Sequence, residues 1–336
     1  MQKVRIAVVG TGSIAQLVHL PVLSRLPEVE IVALCDHQRP KLKVLGEKYG
    51  ITSLYTSVQE LLSSSAVDAI DICVSTENHP EAAVAALEAG VHVLVERPLA
   101  LTYRETQQIV GAAEKAKKTL MVGNNHRFRP DAMILRSFIE AREIGKVFYA
   151  KTGWLRKTDP TKLKESGKRG GGILINEGLV LIDSALWMLG FPAVEKVSAA
   201  AHDVLGLGME DTITALLRLA NGGTIFIEAS WAVKVEEDVL YCDVYGSDGT
   251  GMLNPFRIQK VMHGSLVNVT PAKMDDGREA YQRSYLNEFR HFIGAVRGLH
   301  PAVSTGEEAL QRMKLVEAIR KSIDRRREVP LPAEVS

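Results

Sequence analysis

Gly10-Thr11-Gly12-Ser13-Ile14-Ala15 follows the apolar run Val4–Val9 directly and opens a helical pattern near Ile14, an order of strand, tight glycine turn and helix. A second apolar run, Val29–Cys35, ends in an acid, Asp36. The glycine spacing alone is a weak signal, but the strand before it, the helix after it and the acid beyond supply the context that a dinucleotide site needs. Gly10 permits the turn, Gly12 lets the backbone approach a pyrophosphate, and small Ala15 lets the helix pack on the strand. The helix-start amides, at Ser13 and Ile14, then face the phosphates. The plainer reading is a structural glycine turn in some other α/β protein. Asp36 would accept hydrogen bonds from the adenosine ribose hydroxyls and repel a 2′-phosphate, which favours NAD. Arg39 is close enough in sequence to accommodate a phosphate, so NADP stays open; the alternative for Arg39 is a solvated charge at a helix start.

The chain of 336 residues is long for one core and fits two domains. A net charge of +1 provides no global field for nucleic acid, and no nucleic-acid partner is expected. Cys35, Cys73 and Cys242 are widely spaced, lack a C-x-x-C pair and sit in apolar runs, so they read as buried thiols. The amino terminus enters a strand with no leader-like region, and no apolar run approaches bilayer length. A cytoplasmic protein without a membrane partner is the expectation.

Up to residue 122, runs at 4–9, 29–35, 69–74, 91–95 and 119–122 alternate with helical patterns, which predicts a parallel, doubly wound sheet. Helices are predicted over 81–89, stopped by Gly90, and over 102–117. From residue 123 long alternating runs dominate, at 146–154, 194–201, 212–219 and 224–231, as in an open, mostly antiparallel sheet. Asn221-Gly222-Gly223 between two of them signals a hairpin, because both central residues can take positive φ. Residues 286–296 and 307–327 read as helices, giving an α/β chain with domains at 1–122 and 123–336, the second of α+β type. Trp154, Trp187 and Trp231 fall in apolar patterns as core residues. No metal site is expected, since His126, Asp183 and Cys242 share no ligand spacing.

From Val4 to beyond Gly251 the chain resembles the Gfo/Idh/MocA family of sugar and cyclitol oxidoreductases. The marks are the Gly10 to Ala15 fingerprint, Glu96-Arg97-Pro98, Asn125-His126-Arg127-Phe128, and Gly170-Gly171-Gly172 leading to Gly178, Asp183 and Trp187. The resemblance implies a Rossmann domain binding NAD(P), then a substrate domain whose open sheet forms homodimers or homotetramers. It places Thr76, Asn78 and His79 near the nicotinamide ribose, with Glu77 where proline is usual. It adds Glu96, Arg97, Asn125 and Arg127 to the cofactor-binding set, and it implies a cis Arg97–Pro98 bond.

The departures bear on mechanism. Arg97 stands where the family has lysine, and a guanidinium keeps its proton at neutral pH. Asn176 and Val180 replace the family's aspartate and its acid–base histidine; spacing puts them on one helical face, with Asp183 nearly above. Hydride transfer at a secondary alcohol still needs a group for the proton. Arg97 and Asn176 can bind the reacting oxygen, and Glu177 is the first candidate for the proton, followed by His126, Lys168, His79, Glu96 and water. Glu177 could equally be a favourable acid at a helix N-terminus. His126 could be an ordinary loop histidine, and Arg97 could simply pair with Glu96 or Glu81. Residues 155–169 carry six basic and two acidic side chains, a net of +4 that could focus an anionic substrate or be a solvated loop. The readings are an oxidoreductase acting on a sugar-like or cyclitol-like small molecule and, in another class, a catalytically inactive dinucleotide or sugar sensor. Transient oxidation by tightly bound NAD in a non-redox reaction ranks last.

Overall fold

The computed structural model describes residues 2–158, 171–274 and 277–331. The first part of the chain runs β1 (Val4–Val9), α1 (Leu20–Leu23), β2 (Val29–Cys35), α2 (Arg39–Tyr49), β3 (Leu54–Tyr55), α3 (Val58–Ser64), β4 (Ala69–Ile72), α4 (His79–Glu88), β5 (His92–Glu96), α5 (Tyr103–Ala116) and β6 (Leu120–Gly123). The middle part has α6 (Pro130–Glu140), β7 (Val147–Leu155), α7 (Leu179–Leu189), β8 (Val194–His202), β9 (Thr212–Leu219) and β10 (Thr224–Ser230). The last part adds β11 (Val239–Gly246), β12 (Gly249–Leu253), β13 (Phe256–Met262), β14 (Ser265–Asn268), α8 (Gly277–Val296), α9 (Gly306–Arg325) and β15 (Val329–Pro330). Two compact units result. One comprises Met1–Phe128 with Tyr281–Gln311, the other Arg129–Ala280 with Arg312–Ser336.

In the first unit six parallel strands follow the order β3-β2-β1-β4-β5-β6. Strands buried on both faces read as near-continuous apolar runs, as VRIAVV and VEIVALC do, with Arg5 and Glu30 each at the second position of its strand. Ile70 and Ile72 join the core beneath α3, α4 and α5, whereas Ala69 and Cys73 join the one containing Leu20, Leu42, Phe289 and Phe292 of α1, α2 and α8. Asp71, between the two isoleucines, points with its odd-numbered neighbours to the second face. Thr102 and Glu105 form a reciprocal cap on α5, and Gly90, at φ +76°, closes the α4 region as expected. The strand order reverses between β1 and β4, where doubly wound sheets bind ligands outside the carboxyl ends of their strands.

The second unit holds a nine-stranded sheet, β14-β13-β12-β11-β7-β10-β9-β8-β15, in which β7 and β10 pair in parallel and the other described pairs are antiparallel. Ile213, Ala215, Leu217, Ile225, Ile227 and Ala229 alternate inward, and α7 packs on β7. The 221–223 hairpin is present, but only Gly222 takes positive φ, at +84°. The Asn221 side chain instead accepts from the Gly223 N–H at 2.9 Å and holds the turn locally. Of the three tryptophans only Trp231 is core; half-buried Trp154 and Trp187 lie beside the Arg156 and Arg136 guanidiniums. The cysteines are buried, unpaired thiols. Among the described residues no helix is long and apolar enough to cross a membrane.

Candidate functional site

Gly10 leaves β1 at φ +90°, and a Cβ there would lie 2.6 Å from the Cys73 carbonyl carbon and the Val74 nitrogen. Only glycine fits a turn so close to another backbone. Gly12 differs: a Cβ on it would meet nothing within 4 Å. Its open side belongs to a cavity of about 410 Å³, whose lining includes Gly10, Asp36, Lys41, Cys73 and Asn78.

Asp36 is held at the end of β2 by Thr11, whose N–H and hydroxyl both donate to Oδ2 at 2.8 and 2.7 Å, and by the Gln38 N–H on Oδ1 at 2.9 Å. Burial pushes this carboxyl up, but the hydrogen bonds from Thr11 and Gln38, with Lys41 nearby, outweigh it and hold Asp36 below the usual range. The cation beside it is Lys41, 3.7 Å from Oδ2; Arg39 is exposed and does not line the cavity. Lys41 lay two residues past the arginine that the sequence reading singled out. An open glycine cradle next to an ionised, fixed carboxylate at a strand-order reversal fits a dinucleotide.

The other expected cofactor residues take several positions within the first unit. Ser13 is exposed and Ile14 half-buried just before a π turn, Ala15–His19, in which the Leu20 N–H reaches back to the Ala15 carbonyl. Thr76 and Asn78 lie in a 3₁₀ turn, and only Asn78 of the two lines the cavity. His79 is buried, its ring nitrogens 2.8 Å from the Pro98 carbonyl oxygen and 3.0 Å from that of Val74, so it braces the loops after β4 and β5. Asn125 donates to the Ser284 hydroxyl, and Arg127 pairs with Glu308 at 2.6 Å; both are buried. The Arg97–Pro98 peptide is cis, as the resemblance implies.

A cluster unseen in the sequence lies behind Glu96. His19, at the end of the π turn, faces Asp71 Oδ2 at 2.8 Å through Nδ1 and Glu96 Oε1 at 3.0 Å through Nε2. Cys73 Sγ is 3.2 Å from Nδ1. His19, Asp71 and Cys73 thus bring three donor atoms within 4.8 Å of one another, a trio without ligand spacing in the sequence because His19 is more than 50 residues from the other two. Burial, with Asp71 beside it, pushes the Cys73 thiol up to about 12, so it carries its proton beside the His19 ring. The trio is a hydrogen-bonding group. The available signals were a histidine closing the helical run and an aspartate inside a buried strand.

In the second unit, Gly171, at φ +77°, precedes another π turn, Leu174–Gly178. This turn interrupts the regular helical face expected through Asn176, Val180 and Asp183. Asn176 Nδ2 donates to the carbonyls of Gly171 and Gly172 at 2.9 and 3.0 Å, so the amide meets other groups through Oδ1, an acceptor. Glu177 is buried and accepts from Arg156 at 2.7 Å. Asp183, also buried, pairs with Arg312. Of the basic stretch, the Arg156 guanidinium and the Lys157 main-chain N–H donate to Asp238, whereas Lys162, Lys164, Lys168 and Arg169 lie outside the described residues.

Two family models match: Oxidoreductase family, NAD-binding Rossmann fold, over residues 4–124, and Oxidoreductase family, C-terminal alpha/beta domain, over residues 136–331. The chain is similar to D-glucoside 3-dehydrogenase of Escherichia coli (strain K12), with 27% identity over 340 residues and 95% of each chain covered. It is similar to myo-inositol 2-dehydrogenase of Thermotoga maritima, with 28% identity over 340 residues, 97% of this chain and 98% of that one. A crystal structure described as a probable dehydrogenase from Thermotoga maritima superimposes with a TM-score of 0.83 at 26% identity, covering 97% of this chain and 98% of the other.

Proposed function

We propose a reaction from one premise: the chain belongs to the Gfo/Idh/MocA oxidoreductase family. It is an NAD-dependent oxidoreductase that interconverts a secondary alcohol and its carbonyl on a sugar-like or cyclitol-like small molecule. The observation that supports this most directly is the Asp36 carboxylate, fixed by Thr11 and Gln38 beside the Gly10–Gly12 turn. When bound, NAD supplies or takes the hydride. The dehydrogenase names of relatives that span nearly the whole chain speak against the sensor reading.

The roles are assigned residue by residue, within each unit. Arg97 holds the developing negative charge on the substrate oxygen and keeps its own proton. Asn176 accepts from a substrate hydroxyl through Oδ1, because its amide hydrogens are engaged by the glycine carbonyls. Glu177, ion-paired to Arg156, is assigned to holding that arginine in place. The proton passes to Glu96, whose side chain is 16% exposed at the end of β5 and whose oxygens each keep a second lone pair. The basic stretch beginning at Arg156 favours an anionic substituent on the substrate. The three unpaired thiols suit a reducing cytoplasm, and the open sheet of the second unit is assigned to a homodimer or homotetramer.

Titration with NADH and NADPH by fluorescence, followed by a panel of neutral and acidic sugars, cyclitols and their keto forms, tests the reading. Tighter NADH binding and substrate-dependent oxidation are expected. Cofactor binding without turnover across the panel would return the chain to the sensor class. Asp36→Ala is expected to weaken NADH by about tenfold or more, the loss of charge-assisted hydrogen bonds.

A further inference from the structure

The cluster behind Glu96 has no place in the chemistry assigned so far, although its members are buried and their contacts with the His19 ring are 2.8–3.2 Å long. Asp71 is 0% exposed and His19 2%, while Glu96 is 16% exposed, so the chain of groups opens outward only at Glu96. Glu96 carries the connection further, since its Oε2 accepts from the Arg97 N–H at 3.0 Å. Both His19 nitrogens face carboxylate oxygens, which only accept when ionised, and this arrangement is complete when the ring carries both protons.

We propose that His19 is a positioning residue, an imidazolium braced by Asp71 that fixes the Glu96 carboxylate and, through it, the Arg97 main chain. The assignment rests on Glu96 acting as the proton acceptor of the proposed reaction. The π turn matters here because it adds a residue to the helical turn and brings His19 to the second face of the sheet, where Asp71 of β4 also points. Without a cation, Asp71, Glu96 and Glu288 would be three carboxyl groups sharing one apolar core, a costly arrangement.

The groups facing His19 come from every packed element: Asp71 and Cys73 from β4 and its end, Glu96 from β5, and Tyr285, Glu288 and Phe289 from α8. Burial opposes charge on His19, but Asp71 and the other neighbours outweigh it and raise its proton affinity well above the ordinary value. Burial and the Glu96 charge push Glu288 well up, so it gives up its proton less readily than an ordinary carboxyl. Burial raises the Tyr285 hydroxyl, and so it remains neutral. Burial pushes Glu96 up, yet His19 first and Arg97 next hold it below the carboxylate range.

The test uses the whole protein with NADH bound. In histidine-¹⁵N-labelled protein, the resonances that disappear in His19→Gln are expected to show both ring nitrogens protonated at neutral pH. A neutral His19 ring would overturn the proposal, whether or not a substrate has been found. With a substrate that turns over, His19→Gln is expected to lower kcat on the order of 10- to 100-fold through misplacement of Glu96, leaving NADH affinity within about twofold. Removing the cation also raises the Glu96 pKa, so the acid limb of kcat/KM moves about one unit to higher pH. In a Glu96→Gln background the same substitution is expected to move no limb. A His19→Gln protein with lowered thermal stability but an unmoved acid limb would assign His19 to packing alone and overturn the positioning role. If His19→Gln does not fold, the nitrogen signals of the unmodified protein, assigned through their coupling to neighbouring protons, decide the matter.

Discussion

Gly10 at φ +90° and Gly171 at φ +77° each turn the chain into a π turn, Ala15–His19 in the first unit and Leu174–Gly178 in the second. The polar residues delivered by the two turns are handled in opposite ways. In the second unit the carboxylates meet arginines: Glu177 accepts from Arg156, and Asp183 on the following helix accepts from Arg312. In the first, carboxyl groups gather around one histidine; Asp71 Oδ1 and Glu288 Oε1, like Glu177 Oε2 in the second unit, have no hydrogen-bond partner among the described residues, so the units differ in the cation and not in the saturation of every oxygen. Arginine locks a charge in place because it does not release its proton. Histidine holds charge conditionally. In the proposed reaction the exchangeable proton lies in the Rossmann unit, at Glu96, although the resemblance had pointed to the second unit for the acid and base.

The largest expected effect separates the two glycines. Gly10→Ala forces a Cβ against the backbone of Cys73 and Val74, and a loss of about 5 kcal/mol or failure to fold is expected. Gly171→Ala meets only the Ile175 side chain, at 3.1 Å, and is expected to cost about 1–2 kcal/mol for the left-handed conformation. Denaturant melts of both variants check the contrast, and equal losses would break it. Next, Arg312→Ala strands Asp183, 3% exposed, and is expected to cost about 3–5 kcal/mol, with Asp183→Asn in the same chain recovering part of it. Arg156→Ala leaves Glu177 without that cation, but Arg156 is 38% exposed and water screens the site, so about 1–2 kcal/mol is expected in the same assay.

The smallest effect is a dependence on pH. His19 binds its proton more tightly in the folded chain, so its contribution is complete below the unfolded value of about 6.5 and is lost as pH rises through the folded value. Glu288, also raised, adds the same sign: above about pH 4.3 the folded chain retains a proton that the unfolded chain has released, and stability falls as pH rises. Asp36 is lowered and acts oppositely, its contribution being present above about pH 3.9 and lost as pH falls through the folded value. Hydrogen exchange between about pH 6 and 9, corrected for intrinsic rates, is expected to show protection falling at residues 15–19 but not at 174–178. Glu288→Gln is expected to flatten the first slope. Parallel slopes in the two segments would mean that the arginine locks and the histidine cluster respond alike.

Much of the first unit was legible because its signals are local. The glycine turn, the apolar strands and Asp36 lie within a few dozen residues, and the doubly wound sheet follows from their alternation. At the candidate site, residue identity was legible but partnership was not. Asn176 looked like an oxygen-binding amide, and only the fold shows its hydrogens turned back onto Gly171 and Gly172. Arg39 had a solvated helix start as its alternative to a phosphate-side role, and it is exposed; the cation beside Asp36 is Lys41, one that spacing did not single out. Glu177 had a helix N-terminus as its alternative role, and the structure supplies an ion pair from 21 residues away.

The sequence by itself determined the family, the α/β class and the dinucleotide fingerprint, because glycine conformation, strand periodicity and a strand-end acid act over short distances in the chain. The tertiary structure alone decided which buried charges meet. His19 is 52 residues from Asp71 and 77 from Glu96, and the three converge only once β1, β4 and β5 lie side by side. Excluded from water, such groups are governed by the few atoms around them, and those atoms come from remote parts of the chain.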